Sequence, residues 1–280
     1  MTNLCDTDIS PIDKPSEWRL LLRADARSLS AMAFAPSRRD MLVAGETLLP
    51  PDAASPLEAL EEAVYSAGWL TTLDFGSREI SLAGLDTMLI PSEAGAAAEE
   101  IYDFALPRSE ADSLLTAPTG DSAAIIAAAV PRRLEAFLKR TFPSIRLHPH
   151  LEGLCRYFMT LSSRGNTRKI YLNFRHEAVD IVAIDRGAIL MANSFACPTP
   201  DDAVYYTIAS RDMLGMTEEN GTAPAAVMVS GTGPLREPAV ASLRRFCKDV
   251  MPVIFPGTML LTGRRAAELP FDLTALAIEL

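Results

Sequence analysis

Lys169-Ile-Tyr-Leu-Asn173-Phe-Arg175-His-Glu-Ala-Val179-Asp-Ile-Val-Ala-Ile184-Asp-Arg-Gly187-Ala-Ile-Leu-Met-Ala-Asn193-Ser-Phe195 reads as three consecutive strands. Lys169 to Asn173 predicts the first, Phe174 to Ala178 a turn, and Val179 to Ile184 the second. Asp185-Arg-Gly187 is the chemistry of a tight hairpin turn, and Ala188 to Phe195 supplies the third strand. Thr199-Pro-Asp-Asp202 then predicts a capped helix to about Leu214, with Gly215 just past its end.

The same order stands earlier in the chain. Trp18 to Leu22 predicts a strand, Asp25-Ala-Arg-Ser28 a break, Ser28 to Ala35 a second strand, Pro36 to Asp40 a turn and Met41 to Leu48 a third strand. Ser55-Pro56-Leu57-Glu58 opens a helix to about Ser66, with a serine cap, proline in the first turn and an early carboxylate. The first strands begin 151 residues apart and the helices about 145 apart. Whole strand–strand–strand–helix units at that spacing indicate a duplicated lobe. A solenoid repeats every ~20–50 residues instead.

Between the repeats, Asp86 to Ile90 predicts a strand, Ala96 to Phe104 a helix, and Leu106 to Asp121 a surface excursion. Ala123 to Val130 reads as a buried strand, Arg132 to Thr141 as a helix, Ile145 to Leu147 as a short strand and Leu151 to Leu161 as a helix. After the second repeat come a buried strand at Ala225 to Ser230, Gly231-Thr-Gly233, a helix near Pro238 to Val250 and a terminal helix at Leu273 to Leu280. Strands alternating with helices predict parallel sheets covered on both faces. The expected division is a disordered leader over 1–17, a first lobe over 18–165 and a second over 166–280.

Composition bounds the partners. The chain has 280 residues, 49% of them hydrophobic, and a net charge of −10. Its arginine pairs (Arg38-Arg39, Arg132-Arg133, Arg264-Arg265) lack interleaved aromatics, so a nucleic-acid partner is not expected. The acidic, polar N-terminus shows no signal pattern, and the longest apolar run has eight residues. That predicts a cytoplasmic protein without membrane insertion. Cys5, Cys155, Cys197 and Cys247 have no regular spacing. His148-Pro-His150 with Cys155 offers a weak zinc pattern, and structural histidines at a strand end are the plainer reading.

Several of these stretches resemble one superfamily, that of actin, hexokinase and the heat-shock chaperones, and within it the bacterial pilus-assembly and cell-division actin homologues. The resemblance rests on Leu-Leu-Arg-Ala-Asp25-Ala-Arg27-Ser28, Ile-Tyr-Leu-Asn173-Phe-Arg175, the run Ala123 to Met159 and Val227-Met-Val-Ser-Gly231-Thr-Gly233. Leu190 to Phe195 and Asp202 to Tyr206 are similar to an uncharacterised Bacteroides-type family with an actin-like ATPase fold. The implied fold is α/β and two-lobed, actin-like ATPase (ribonuclease H-like), each lobe a mixed sheet flanked by helices.

The resemblance also implies a nucleotide cleft. Its candidate cofactor-binding residues are Asp25, Arg27, Ser28, Asn173, Arg175, Gly231, Thr232 and Gly233, with ATP the possible cofactor. The family opens each lobe with an Asp-x-Gly-Ser hairpin holding phosphate, and here Arg27 and Arg175 stand where glycine would. A phosphate loop needs close backbone approach and inward N–H groups, often with positive φ, and a side chain opposes both. Asp25 keeps the carboxylate that would order Mg²⁺ through water; Asn173 has lost the charge. Two arginines facing one cleft could bind an anion, or each could pair with a carboxylate such as Asp25, Glu177 or Asp180 and lock the lobes.

No nucleophilic constellation or metal set is expected. The expected role is a non-catalytic scaffold binding a protein partner or itself. The alternatives are a diverged ATPase or small-molecule kinase, and a small-ligand sensor using the cleft.

Overall fold

A computed structural model of the chain describes residues 2–106, 108–162, 168–218, 223–255 and 264–280. Its first sheet is built from β1 (Arg19–Ala24), β2 (Ser28–Ala35) and β3 (Arg38–Leu48), followed by α1 (Pro56–Ser66) and the single turn α2 (Trp69–Thr72). β4 (Ser77–Leu82) adds parallel to β1. β5 (Thr87–Pro91), α3 (Ala98–Ala105), β6 (Asp112–Pro118) and β7 (Ala124–Pro131) form an inserted unit, and α4 (Arg132–Thr141), β8 (Arg146–Pro149) and α5 (His150–Ser162) close the first half. The second half runs β9 (Lys169–Phe174), β10 (Ala178–Asp185), β11 (Ala188–Ala196), α6 (Pro200–Met213), β12 (Ala226–Gly231), α7 (Arg236–Leu243) and β13 (Val250–Pro252). It ends in α8 (Arg264–Glu268) and α9 (Phe271–Glu279).

The duplication is visible in hydrogen bonding. One five-stranded sheet has the order β3-β2-β1-β4-β8 and the other β11-β10-β9-β12-β13. In both, the first three strands are antiparallel and the fourth and fifth join parallel. Local chemistry sets the repeat. Ser55 Oγ accepts the Glu58 amide at the start of α1. Thr199 and Asp202 form a capping box at the start of α6, satisfying donors the helix cannot pair itself. Arg186 and Gly187 take positive φ in the β10–β11 turn.

Four sequence expectations change. Leu106 to Asp121 is not all surface excursion: β6 pairs Leu114 with Ala129 and Leu115 with Ala128. Only a short apolar pair marks this edge strand, so its pattern is weak. β7 is the centre of an antiparallel sheet, β5-β7-β6, not part of a parallel lobe sheet. A strand flanked on both sides is apolar throughout in either arrangement. The helix expected to Val250 stops at Leu243, and Val250 begins an edge strand. The leader is ordered: Leu4 is buried, and its carbonyl accepts from Trp69 Nε1 at 3.0 Å.

Each lobe has its own core, and a third cluster joins them. α5 and α9 pack on each other between the two sheets, α5 against β10 and β11, α9 against β1 and β12. Phe158 of α5 stacks on Tyr171 of β9 at 4.2 Å. The helices approach so closely at Gly153 that an added Cβ would lie 2.7 Å from the Leu276 backbone nitrogen. Gly153→Val is therefore expected to lower the unfolding free energy by about 2 kcal/mol or more in urea titration, because backbone cannot yield as a side chain can. A change within error would mean the helices separate readily there.

Candidate functional site

The β1–β2 and β9–β10 hairpins face each other across a cleft of about 390 Å³ between the lobes. Asp25, Arg27, Ser28, Arg175, Thr232 and Gly233 line it, whereas Asn173 and Gly231 lie beneath the second hairpin. Arg23, Glu46 and Asp272 also line it.

In the first hairpin the Asp25 carboxylate is folded back on its own turn. Oδ1 accepts the amides of Arg27 and Ser28, each at 2.8 Å, and Oδ2 accepts Arg23 Nη1 at 2.7 Å. Burial works to raise the Asp25 pKa, but the Arg23 charge and the turn amides hold it below the ordinary carboxylate value. Arg23 is itself buried and donates from Nε to Asp272 Oδ2 of α9 at 2.6 Å. One arginine thus ties the hairpin to the C-terminal helix.

The second hairpin is organised by Asp180, whose side chain has no exposed surface. Arg175 donates to it from Nε at 3.1 Å to both oxygens and from Nη2 at 2.9 Å. Asn173 Nδ2 donates at 2.9 Å and Ser194 Oγ at 2.7 Å, and His150 Nε2 from α5 lies 3.0 Å from Oδ1. Burial pushes the Asp180 pKa up, but Arg175 and His150 outweigh it and hold the carboxylate well below its ordinary value. Between the hairpins, Arg27 Nη2 donates to Glu177 Oε1 at 2.8 Å. Both side chains of that pair are about half exposed, 43% and 57%.

The expected backbone cost of the arginines does not arise. Neither Arg27 nor Arg175 has positive φ, so both turns bend within ordinary backbone space. The strand registers also correct the expected equivalence of the two arginines: Arg175 occupies the place of Asp25, Glu177 that of Arg27 and Asn173 that of Arg23. The glycine loop is also spoken for: a Cβ on Gly231 would lie 2.2 Å from the Phe174 carbonyl oxygen, and the Thr232 amide donates to that same oxygen at 3.2 Å. Packing of the loop against the hairpin is reason enough for the glycine.

His148 and His150 turn to different partners. His148 lies between Glu152 Oε2 (2.7 Å) and Glu79 Oε2 (2.9 Å). Burial would lower its pKa, yet the two carboxylates raise it to about 9. The Cys155 thiol is buried and raised by burial. Among the described residues no cluster of three or more His, Cys, Asp or Glu could hold a metal ion. No described helix is long and apolar enough to cross a membrane.

Asp180 was legible only as one possible arginine partner, and Arg23, His150, Ser194 and Asp272 were missed. The signal available was a charge inside an otherwise apolar strand, Leu-Leu-Leu-Arg23 and Val179-Asp-Ile-Val. Such a charge survives burial only with partners.

The model of the family described as Protein of unknown function (DUF3822) matches residues 9–237. A Bacteroides thetaiotaomicron protein with an actin-like ATPase fold and unknown function superposes with a TM-score of 0.82 at 20% identity, covering 97% of this chain and 99% of its own. A type IV pilus biogenesis complex, PilM–PilN, matches with a TM-score of 0.64 at 12% identity, covering 95% and 99%. These likenesses make the fold an actin-like ATPase fold. No curated protein matches the sequence.

Two predictions follow from the charges. Asp180→Ala strands the Arg175 guanidinium, whose side chain is 13% exposed. It should cost about 3–5 kcal/mol of unfolding free energy, against less than about 1 kcal/mol for Arg27→Ala at the exposed pair. Equal costs would contradict the buried hub. For His148, a folded pKa raised to about 9 means its contribution is complete below the unfolded value of ~6.5 and lost as pH rises through about 9. Unfolding free energy should fall between those limits in the wild type, and His148→Gln should flatten that slope.

Proposed function

The chain belongs to that family of proteins of unknown function, and from this premise we propose that it is a nucleotide-independent actin-fold scaffold that works by binding protein. The observation that carries the reading is the Asp25 turn. The two amides best placed to cradle a phosphate already bind that carboxylate at 2.8 Å. A triphosphate would have to displace an anion that the chain supplies itself. Arg175 is committed to Asp180 and the Thr232 amide to Phe174. With these donors engaged, and Arg175 rather than a carboxylate at the place in the second hairpin that matches Asp25, the residues present do not fit Mg·ATP.

Support for a protein partner comes from the PilM–PilN structure, in which a chain of this fold forms part of a complex. A two-lobed body whose cleft-lining donors are engaged internally keeps its outer surfaces for such a role. The residue groups assigned to nucleotide in related folds become interlobe fasteners in this reading. The lobe boundary at 165/166 is part of the same proposal.

Scanning calorimetry separates the scaffold from the enzyme. A nucleotide bound with a Kd a hundredfold below its concentration adds about 2.7 kcal/mol to stability. Millimolar Mg·ATP should leave Tm unchanged, and sulfate at the same ionic strength should do no more than chloride. A saturable rise with Mg·ATP would restore the diverged-ATPase reading; a rise with sulfate that Arg175→Ala abolishes would point to an anion sensor.

A further inference from the structure

A second opening lies away from the interlobe hairpins. The inserted sheet β5-β7-β6 and the second-lobe sheet each end in an outer strand, β5 and β11, and those two strands form opposite walls of a groove of about 530 Å³. Ala105 and Leu106, at the end of α3, close one end of it. The strands meet where Leu89 packs against the cluster containing Ile189 and Ala192.

The main-chain groups on both walls can be accounted for. On β5, the Asp86 carbonyl accepts from Ala129 and the Ser92 amide donates to Ala123. Alternate residues of an antiparallel strand face opposite ways, so 86, 88 and 90 bond to β7, and Thr87 and Leu89 turn their N–H and C=O towards the groove. On β11, the Cys197 amide donates to the Glu177 carbonyl, so 191, 193 and 195 face β10 while Ala192 and Ser194 face the groove. The Ser194 amide is satisfied by Asn193 Oδ1 at 2.8 Å. Thr87, Leu89 and Ala192 have no such partner among the described residues. Thr87 is 7% exposed and its Oγ1 also lacks a partner.

Buried backbone donors and acceptors are almost always paired, and outer strands are normally protected by charge, proline or cover. β5 has a proline only at its last residue, Pro91, and Leu190–Ser194 contains neither lysine nor proline. Two apolar lining residues, Leu190 and Leu106, are exposed. Asp86 is the one ionisable residue among the described residues lining the groove, on a chain of net charge −10.

We propose that this groove docks an extended segment of a partner protein, which adds as a strand along the free edge of β5. Its backbone pairs with Thr87 and Leu89, its apolar side chains lie against Met88, Met191 and Leu106, and a lysine or arginine meets Asp86. Main-chain pairing gives affinity and the apolar wall gives selection. The inference rests on the reading of the chain as a protein-binding module and names where that binding occurs.

Amide hydrogen exchange on the intact chain tests it first. Without partner, the amides of Thr87, Leu89 and Ala192 should exchange at least tenfold faster than those of Met88, Ile90 and Met191. Comparable protection would show the edges already sealed and overturn the proposal. The second arm uses amidated hexapeptides of the form Lys-Xaa-Thr-Xaa-Thr-Xaa, where Xaa is Val, Ile, Leu or Phe, read by fluorescence polarisation. The best should bind with a Kd of about 100 μM or tighter and slow exchange at Thr87 and Leu89. Asp86→Lys should weaken it at least fivefold and favour a Glu-headed analogue, and N-methylation of alternate peptide amides should abolish binding. No binding by any peptide, or binding that leaves Thr87 and Leu89 unprotected, overturns it. Because the nucleotide cleft is elsewhere, a Tm rise with Mg·ATP alongside this peptide binding would sink the nucleotide-independent reading and leave the groove standing.

Discussion

A single carboxylate without exposed surface, Asp180, holds the arrangement on which the two-lobed body depends. Charge that far from water is costly unless matched, and here Arg175, Asn173 and Ser194 from the second lobe and His150 from α5 converge on it. Those four contacts fix the β9–β10 hairpin and join it to the helix that closes the first half. Arg23 does the corresponding work for the other hairpin, linking Asp25 to Asp272 of the terminal helix. Each hairpin therefore holds an ion pair of its own and one contact from elsewhere in the fold, Asp272 for the first and His150 for the second.

That constraint decides what the cleft can do. A phosphate loop works by leaving backbone donors free, and the first hairpin spends the Arg27 and Ser28 amides on Asp25. The Asp25 side chain sits on its own turn amides, and the Gly231 loop lies on the Phe174 carbonyl. The arginines at 27 and 175 do not strain the backbone. They act through what they bind, Glu177 across the cleft and Asp180 beneath it. On the proposed reading the binding chemistry lies on the outer edges, where Thr87, Leu89 and Ala192 have no main-chain partner among the described residues.

Much of this fold was legible in the chain. The duplicated hairpins, the Ser55 and Thr199 caps and the Asp185-Arg-Gly187 turn each carry a local signal that fixes an element. The inserted sheet was not legible as such, because the apolar run at Ala124–Val130 has the same composition whether its neighbours are parallel or antiparallel. β6 was hidden for the opposite reason, being an edge strand with little apolar alternation. At the cleft, Glu177 and Asp180 could be named among the possible partners of Arg27 and Arg175, but not which arginine takes which. A lone Arg23, Asp180 or Asp272 announces only that a counter-charge exists. Which one answers depends on three-dimensional contacts as distant as 249 residues along the chain.

The central claim is that internal ion pairs fix the lobes so that nucleotide has no purchase on them. Double electron–electron resonance between spin labels at Glu62→Cys on α1 and Asp212→Cys on α6, in a Cys5→Ser background, measures the interlobe distance directly. The account predicts one narrow distance distribution, identical with and without Mg·ATP. A broad or two-peaked distribution that narrows or shifts on adding Mg·ATP would contradict it.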